Sequence, residues 1–267
     1  MTYCSIAKIV DNEQLRNGYY TLRLEAPSIA GNCAPGQFIM LRGLVAGWPY
    51  LRRPFSVYSS DGESMVDIIY KVVGRATSIM SQMDAGGEFD VVGPLGEGFT
   101  PNETCTHAIA VAGGMGLPPI AFYCQKYVDL YEHVTLVVGA ATREELLVPV
   151  GLVVQGVKIA TYTEDGSKGS RGTALDGLAG AIGEMAMEQD AVQVVACGPR
   201  EMLFEIARLC RERNVSCQVS VDEIMACGIG ACLSCAVPAA KGGYHHACKD
   251  GPVFDSGLID WERWLDT

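Results

Sequence analysis

Ala112-Gly113-Gly114-Met115-Gly116-Leu117-Pro118 lies between an apolar run at 107–112 and a helix-compatible segment at 118–127. A continuous apolar run reads as a strand buried on both faces. A glycine-rich turn that leaves such a strand and opens a helix lets backbone N–H groups approach a pyrophosphate. The turn is not G-x-G-x-x-G, and a plain tight strand–helix connection uses similar residues, so both readings stay open on this stretch alone. Outward from it the alternation continues. Strands are expected at 134–140, 157–163, 192–197 and 215–221, and helices at 142–147, 174–187 and 200–214. The pattern predicts a central α/β domain over 101–215 with a parallel sheet covered on both faces, built to bind a nucleotide. The acidic turn Thr163-Glu164-Asp165-Gly166-Ser167 disfavours a 2′-phosphate and favours NAD over NADP, although Lys168, Arg171 and Arg143 lie close in sequence.

Upstream, residues 1–100 carry short β-branched and aromatic runs at 5–10, 19–25, 37–41, 55–60, 66–73 and 88–92, punctuated by Gly, Pro, Asn and Asp. With one helix-like piece at 77–83, they predict a small antiparallel β-barrel. Gly93-Pro94-Leu95-Gly96-Glu97-Gly98-Phe99 closes it as a linker.

Downstream, residues 216–267 hold Cys227-Gly228-Ile229-Gly230-Ala231-Cys232-Leu233-Ser234-Cys235 and then Cys248, a C-x4-C-x2-C-x12-C spacing. Three thiolates in one tight loop and a fourth returning from a short excursion is how a [2Fe–2S] cluster is held. Gly228 and Gly230 let the backbone wrap closely and aim N–H groups at sulfur, and Ile229, Ala231 and Leu233 are expected to form an apolar lid. The alternative is a structural zinc site, which usually pairs two C-x2-C units. His245 and His246 precede Cys248, but four cysteines already complete the ligand set, so solvated or interface roles suit them better. The segment 238–244 reads as a small hairpin or loop returning Cys248. Trp261 and Trp264, in an acidic tail, suit a local staple or a partner surface.

The chain has 267 residues, a net charge of −11 and a pI near 4.8. Such a balance argues against nucleic acid and against an anionic membrane surface. No apolar run reaches spanning length and the first residues lack a signal-peptide plan, so a cytoplasmic protein is expected. Of eleven cysteines, those outside the cluster set are scattered and odd in number, which suits a reducing compartment better than a disulfide framework.

Two segments of the first domain carry a resemblance. Arg52-Arg53-Pro54-Phe55-Ser56-Val57-Tyr58 resembles the R-P-x-S flavin signature of the ferredoxin–NADP reductase superfamily, and Ile69-Tyr70-Lys71-Val72-Val73-Gly74-Arg75-Ala76-Thr77 resembles its next flavin-contacting strand. The likeness implies FAD held by Arg53, Pro54, Phe55, Ser56, Ile69, Tyr70, Lys71, Ala76 and Thr77, with Arg53 on the pyrophosphate and Ser56 on the isoalloxazine. Taken alone, Arg53 reads better as a surface or ion-paired arginine. Cys197-Gly198-Pro199-Arg200-Glu201-Met202 resembles the segment that lies beside the nicotinamide in the same superfamily, placing Gly113, Gly114, Gly116, Cys197, Gly198 and Pro199 at NAD. Cys197 is then a positioning residue near the hydride path and not a nucleophile, since no histidine pairs with it in the sequence pattern.

The whole chain resembles the electron-transfer subunits of bacterial NAD-dependent dihydroorotate dehydrogenase B, on Met225-Ala226-Cys227 through Cys232 and on Cys248-Lys249-Asp250-Gly251-Pro252-Val253-Phe254 above all. The resemblance implies a heterotetramer of two such subunits with two FMN-bearing catalytic subunits, and electrons passing by Cys227, Cys232, Cys235 and Cys248, FAD and NAD during orotate formation in pyrimidine biosynthesis. The sequence offers no separate substrate site, neither a Ser/His/Asp set nor a paired acid and base. Small subunits of sulfide dehydrogenase and of electron-bifurcating ferredoxin–NADP reductase share the plan and form the runner-up. A zinc-stapled nucleotide-binding regulator is the alternative outside the enzymes.

Overall fold

The computed structural model describes residues 1–149, 151–184 and 191–266. The N-terminal strands are β1 (Tyr3–Arg16), β2 (Tyr19–Glu25), β3 (Phe38–Gly43), β4 (Arg53–Ser56), β5 (Ser59–Ser60), β6 (Met65–Lys71) and β7 (Glu88–Leu95). They form one curled antiparallel sheet in the order β4-β3-β7-β1-β2-β6-β5, with the short helices α1 (Pro27–Ala30) and α2 (Arg75–Met80) between strands. Leu22 and Leu24 of β2, Ile68 of β6 and Phe89 and Val91 of β7 fill its concave side and are fully buried. Each such side chain contributes about 1.5–3 kcal/mol of burial.

The first strand runs well past its expected end at 10. Register shifts after Ile9 and Gln14 let it continue through Asp11-Asn12. Asn12 then works as a brace rather than a turn residue. Its Nδ2 donates to the Met80 and Met83 carbonyls, both at 2.8 Å, and its Oδ1 accepts from the Tyr70 hydroxyl at 3.0 Å.

The second sheet comprises β8 (His107–Gly113), β9 (His133–Ala140), β10 (Lys158–Thr163), β11 (Ser170–Arg171), β12 (Val192–Cys197), β13 (Ser216–Ser220) and, from the C-terminal region, β16 (Val253–Asp255). Its order is β11-β10-β9-β8-β12-β13-β16, parallel throughout except for β16. Alternate residues of β8 serve different faces. Ala108, Ala110 and Ala112 pack under α3 (Leu117–Tyr127), whereas Ile109 and Val111 face α5 (Ala174–Glu184) and α6 (Arg200–Glu212). Alanines beneath α3 let the helix approach closely; the larger side chains fill the wider space opposite.

The helix expected at 142–147 is a turn, in which the Glu145 and Leu146 N–H groups donate to the Thr142 carbonyl, both at 3.2 Å. Pro149 stops any continuation of that turn into a longer helix, since it lacks an N–H and biases Val148 away from helical geometry. A one-turn helix, α4 (Gly151–Val154), follows instead. Of the helix expected at 174–187, positions 185–187 lie outside the described residues. The expected hairpin exists as β14 (Ala236–Pro238) paired with β15 (Tyr244–His246). The chain ends in α7 (Trp261–Leu265). Among the described residues no helix is long and apolar enough to cross a membrane.

The C-terminal region is bound into both sheets. Besides β16 on β13, the cysteine loop rests on the first sheet: a Cβ on Gly228 would fall 2.7 Å from Met40 Cγ. Cys235, Cys248 and Trp264 share one buried cluster with Met40, Leu95, Val219 and Phe254.

Candidate functional site

The strand order of the second sheet reverses between β8 and β12, and the crevice at their carboxyl ends is where such sheets bind ligands. The turn after β8 and the turn after β12 meet there. Cβ atoms on Gly113 and Gly198 would both fall against the flexible end of Met202, at 2.6 and 2.3 Å, so the glycines let Met202 pack between the turns. Gly114 differs: its φ is +52° and nothing lies within 4 Å of its Cβ position. The first sheet closes the other side of the crevice, leaving a cavity of about 810 Å³. That volume suits a cofactor of dinucleotide class.

All fifteen residues singled out in the sequence for FAD and NAD line this one cavity: Arg53, Pro54, Phe55 and Ser56 from β4, Ile69, Tyr70 and Lys71 from β6, Ala76 and Thr77 from α2, Gly113, Gly114 and Gly116 after β8, and Cys197, Gly198 and Pro199 after β12. The three arginines near β4 divide their work. Arg42 and Arg52 both pair with the buried Asp90, at 2.6 and 2.7 Å. Arg53 has no carboxylate partner among the described residues; its Nη1 donates to the Leu51 and Arg52 carbonyls at 3.0 and 3.1 Å, which steadies the guanidinium at the cavity wall. An arginine so placed fits a phosphate group.

Thr77 is committed locally. Its Oγ1 accepts from the Val73 and Gly74 N–H groups at 3.0 and 3.2 Å and donates to the Gly74 carbonyl at 3.1 Å. It shapes the turn at the cavity edge instead of offering a free hydroxyl. Tyr70 stacks on Tyr20 with centroids 5.4 Å apart and meets Phe55 edge-on at 6.3 Å, giving a fixed aromatic wall. Lys71 is held at 3.2 Å by Glu145 from the turn after β9. Burial pushes the Cys197 thiol up to about 12, against a weaker opposing hydrogen bond from Ser220, so it is a packed thiol and no nucleophile.

Sequence reasoning did not assign Arg75, Arg200, Asp222 or Met225 to the cavity, yet all four line it. Asp222 opens onto the cavity but is crowded by protein. Desolvation, then Glu223, push its carboxyl up, and Arg200 partly offsets them. Met225 is the bridge, since it lines the cavity two residues before Cys227.

In the cysteine loop, Gly228 and Gly230 take φ of +72° and +80°, and the turn aims main-chain donors at sulfur. The N–H groups of Ile229, Ala231 and Cys232 donate to Cys227 Sγ at 3.4, 3.3 and 3.4 Å, and that of Gly230 donates to Cys248 Sγ at 3.1 Å. The Cys248 N–H reaches Cys235 Sγ at 3.4 Å. Burial, then the adjacent Cys235 thiol, push Cys248 up to about 12. Main-chain donors aimed at the Cys227, Cys235 and Cys248 sulfurs in one loop fit a thiolate-held metal group. Ile229, Ala231 and Leu233 do not close over the loop. They are exposed, because their neighbours on the outer side are solvent and not protein.

Residues 222–260 match the family described as the iron-sulfur cluster binding domain of dihydroorotate dehydrogenase B. Over 96% of its length the chain is 34% identical to the dihydroorotate dehydrogenase B (NAD(+)) electron transfer subunit of Desulforamulus reducens, covering 98% of that protein. It is 33% identical to the subunit of the same name from Clostridium acetobutylicum, with 94% of each chain covered. Among solved structures, the one described as giving insights into flavin-based electron bifurcation via the NADH-dependent reduced ferredoxin-NADP oxidoreductase superposes with a TM-score of 0.84 at 27% identity, over 98% of this chain and 92% of that one. A ferredoxin NADP+ reductase from Neisseria gonorrhoeae shares the fold, with a TM-score of 0.65 at 16% identity, over 79% of this chain and 91% of that one. The chain belongs to the family of dihydroorotate dehydrogenase B (NAD(+)) electron transfer subunits.

Proposed function

We propose that this chain is the relay half of a cytoplasmic dihydroorotate dehydrogenase, working with a separate FMN-bearing catalytic subunit, two copies of each. When bound, FAD exchanges a hydride with NAD and single electrons with a [2Fe–2S] cluster, which makes it the converter between the two carriers. The observation that carries the reading is the single cavity walled by the β4 and β6 residues, by both glycine turns and by Met225, next to the cysteine loop. Residues 1–100 serve FAD, 101–215 serve NAD and 216–267 serve the cluster. Arg53 holds the flavin pyrophosphate, Ser56 and Tyr70 meet the ring system, and the backbone at Gly114 meets the nicotinamide nucleotide. Cys227, Cys232, Cys235 and Cys248 ligate the cluster. In the overall reaction dihydroorotate loses two electrons and two protons to become orotate, while NAD+ takes both electrons with one proton and the second proton goes to solvent.

The cluster end is suited to a partner. Ile224, Ile229 and Leu233 are 83%, 59% and 57% exposed beside the exposed Cys232. A second, apolar groove runs alongside, between Leu51, Pro54 and Ile224. Apolar side chains concentrated around a redox centre support docking of another protein there. The test is dihydroorotate-dependent NAD+ reduction by the complex co-purified anaerobically with its companion. The likeness to the bifurcating oxidoreductase structure supports a second reading, the same relay with a different partner. Absence of the dihydroorotate activity, with NADH still bleaching flavin and cluster, selects that second reading.

A further inference from the structure

The C-terminal tail is acidic and short, yet Trp264 inside it is 0% exposed, among the largest fully buried side chains described. Its surroundings are specific. Trp264 Nε1 donates to Glu223 Oε1 at 2.5 Å, and the same oxygen accepts from Arg200 Nη2 at 2.8 Å. Arg200 Nη1 donates to the Trp264 carbonyl at 3.2 Å, and its guanidinium lies 4.9 Å above the indole ring. Trp261 supports Trp264 from the side at 5.6 Å, itself fastened by Nε1 to the Ser256 carbonyl at 2.8 Å.

Each corner of this triangle belongs to a different part of the molecule. Arg200 opens α6 straight after Cys197-Gly198-Pro199 and lines the cofactor cavity. Glu223 begins the short segment that contributes Met225 to the same cavity and then becomes Cys227. Trp264 lies in α7 of the C-terminal tail. The far end of the segment is fixed independently: Ser234 Oγ accepts from the Ala226 N–H at 3.3 Å and donates to the Ile224 carbonyl at 3.1 Å. The segment 223–226 is therefore pinned at both ends, and its outer pin depends on the tail. A carboxylate shared between an arginine and an indole N–H, with a side chain 8% exposed, is a directional joint.

From this we infer that Trp264 is a positioning residue. Through Glu223 and Arg200 it fixes the segment joining the cofactor cavity to the cysteine loop, and so governs single-electron passage between flavin and cluster. The inference rests on the relay reading above. It separates two steps that a purely structural tail would affect together. Hydride exchange uses the turns after β8 and β12, and the tail reaches that side of the cavity through Arg200. Electron passage to the cluster depends on the segment the tail holds.

The experiment uses the flavin- and iron-loaded protein and compares Trp264→Phe with wild type by stopped-flow reduction with NADH, following flavin and cluster bleaching separately. Trp264→Phe keeps a buried aromatic ring and removes the N–H donor together with part of the indole's volume; Glu223→Gln tests the joint without that loss of volume. Flavin bleaching should stay within about twofold of wild type while cluster bleaching slows about tenfold, the scale expected when a small displacement spoils a tuned geometry. Iron per chain should be unchanged, and the visible circular dichroism of the cluster should shift. Glu223→Gln, which keeps an acceptor but loses the charge, should show the same split and serves if Trp264→Phe does not fold. Equal slowing of both steps, or an unchanged cluster step in both variants, overturns the inference. A wild-type protein whose cluster NADH cannot bleach overturns the relay reading itself.

Discussion

The Cβ position of Gly116 falls 2.1 Å from the carbonyl oxygen of Cys197. The two turns that form the floor of the crevice touch backbone to backbone, and a hydrogen atom is all that fits between them. Main-chain atoms cannot rotate aside as a side chain can. Gly116→Ala should therefore cost about 1–3 kcal/mol through overpacking and open the crevice. Gly114→Ala meets no atom and carries only its left-handed conformation, at about 1 kcal/mol. Thermal melts of the two variants measure the difference; equal losses would refute the backbone contact.

Arg53 and Arg52 are neighbours with opposite duties. Removing Arg53 leaves no buried carboxylate unpaired, so Arg53→Ala should fold normally and lose flavin. One charge-assisted phosphate contact at about 1.5–3 kcal/mol corresponds to a roughly ten- to hundredfold weaker FAD affinity. Arg52→Ala leaves the buried Asp90 to Arg42 alone. It should lower stability by about 1–3 kcal/mol while the remaining folded protein still binds flavin. Flavin titration against the apo-protein, alongside denaturant melts, separates the two effects. A normal FAD affinity in Arg53→Ala would take that residue out of the site.

How far these assignments are legible in the sequence depends on what each element uses for its boundary. Tyr19–Glu25 and Val192–Cys197 can be read residue for residue, because Asn17-Gly18 and Gly198-Pro199 punctuate them and because the first shows an apolar–polar alternation and the second an apolar run. Strand β16 could not be read: three residues carry no period, and only its pairing with β13 makes it a strand. Asn12 looked like a turn residue because its tertiary partners, Met80 and Met83, lie far along the chain. At the site, residue types told of phosphate and metal chemistry, and the R-P-x-S resemblance singled out Arg53, but nothing in the sequence showed that Arg52 is taken by the buried Asp90. The apolar side chains of the cysteine loop were legible as apolar, not as exposed. Which side solvent lies on is a property of packing.

Asp222 should make stability depend on pH. Its carboxyl is pushed up by burial and by Glu223, so folding favours the protonated form. Its contribution is intact below the ordinary carboxylate range and is lost as pH rises through the raised folded value. Asparagine mimics the protonated form. Asp222→Asn should thus raise the melting temperature at pH 7 to 8 relative to wild type, and the gain should vanish near pH 4. Differential scanning calorimetry at both pH values checks this. A gain that persisted in acid would mean the effect came from packing, since wild-type Asp222 is then already neutral.

Cys232 offers the cleanest separation of the two halves of the relay. It is exposed, unlike Cys235 and Cys248, so Cys232→Ser adds no cavity, and any fall in melting temperature should match that of wild type stripped of its cluster. The cofactor cavity does not include it, so NADH-driven bleaching of the flavin should continue at close to the wild-type rate. Loss of one of four thiolates should abolish or cripple the cluster, and with it the passage of electrons from the companion subunit. Dihydroorotate-dependent NAD+ reduction should then fall by about a hundredfold or more, as when an element of the reaction path is removed outright. Buried Cys248→Ser should lose the same activity and fold poorly as well, because Cys248 sits in the core with Met40, Leu95 and Trp264. Equal loss of flavin bleaching and of dihydroorotate activity in Cys232→Ser would mean that the loop supports the flavin directly and is not the route by which electrons reach it.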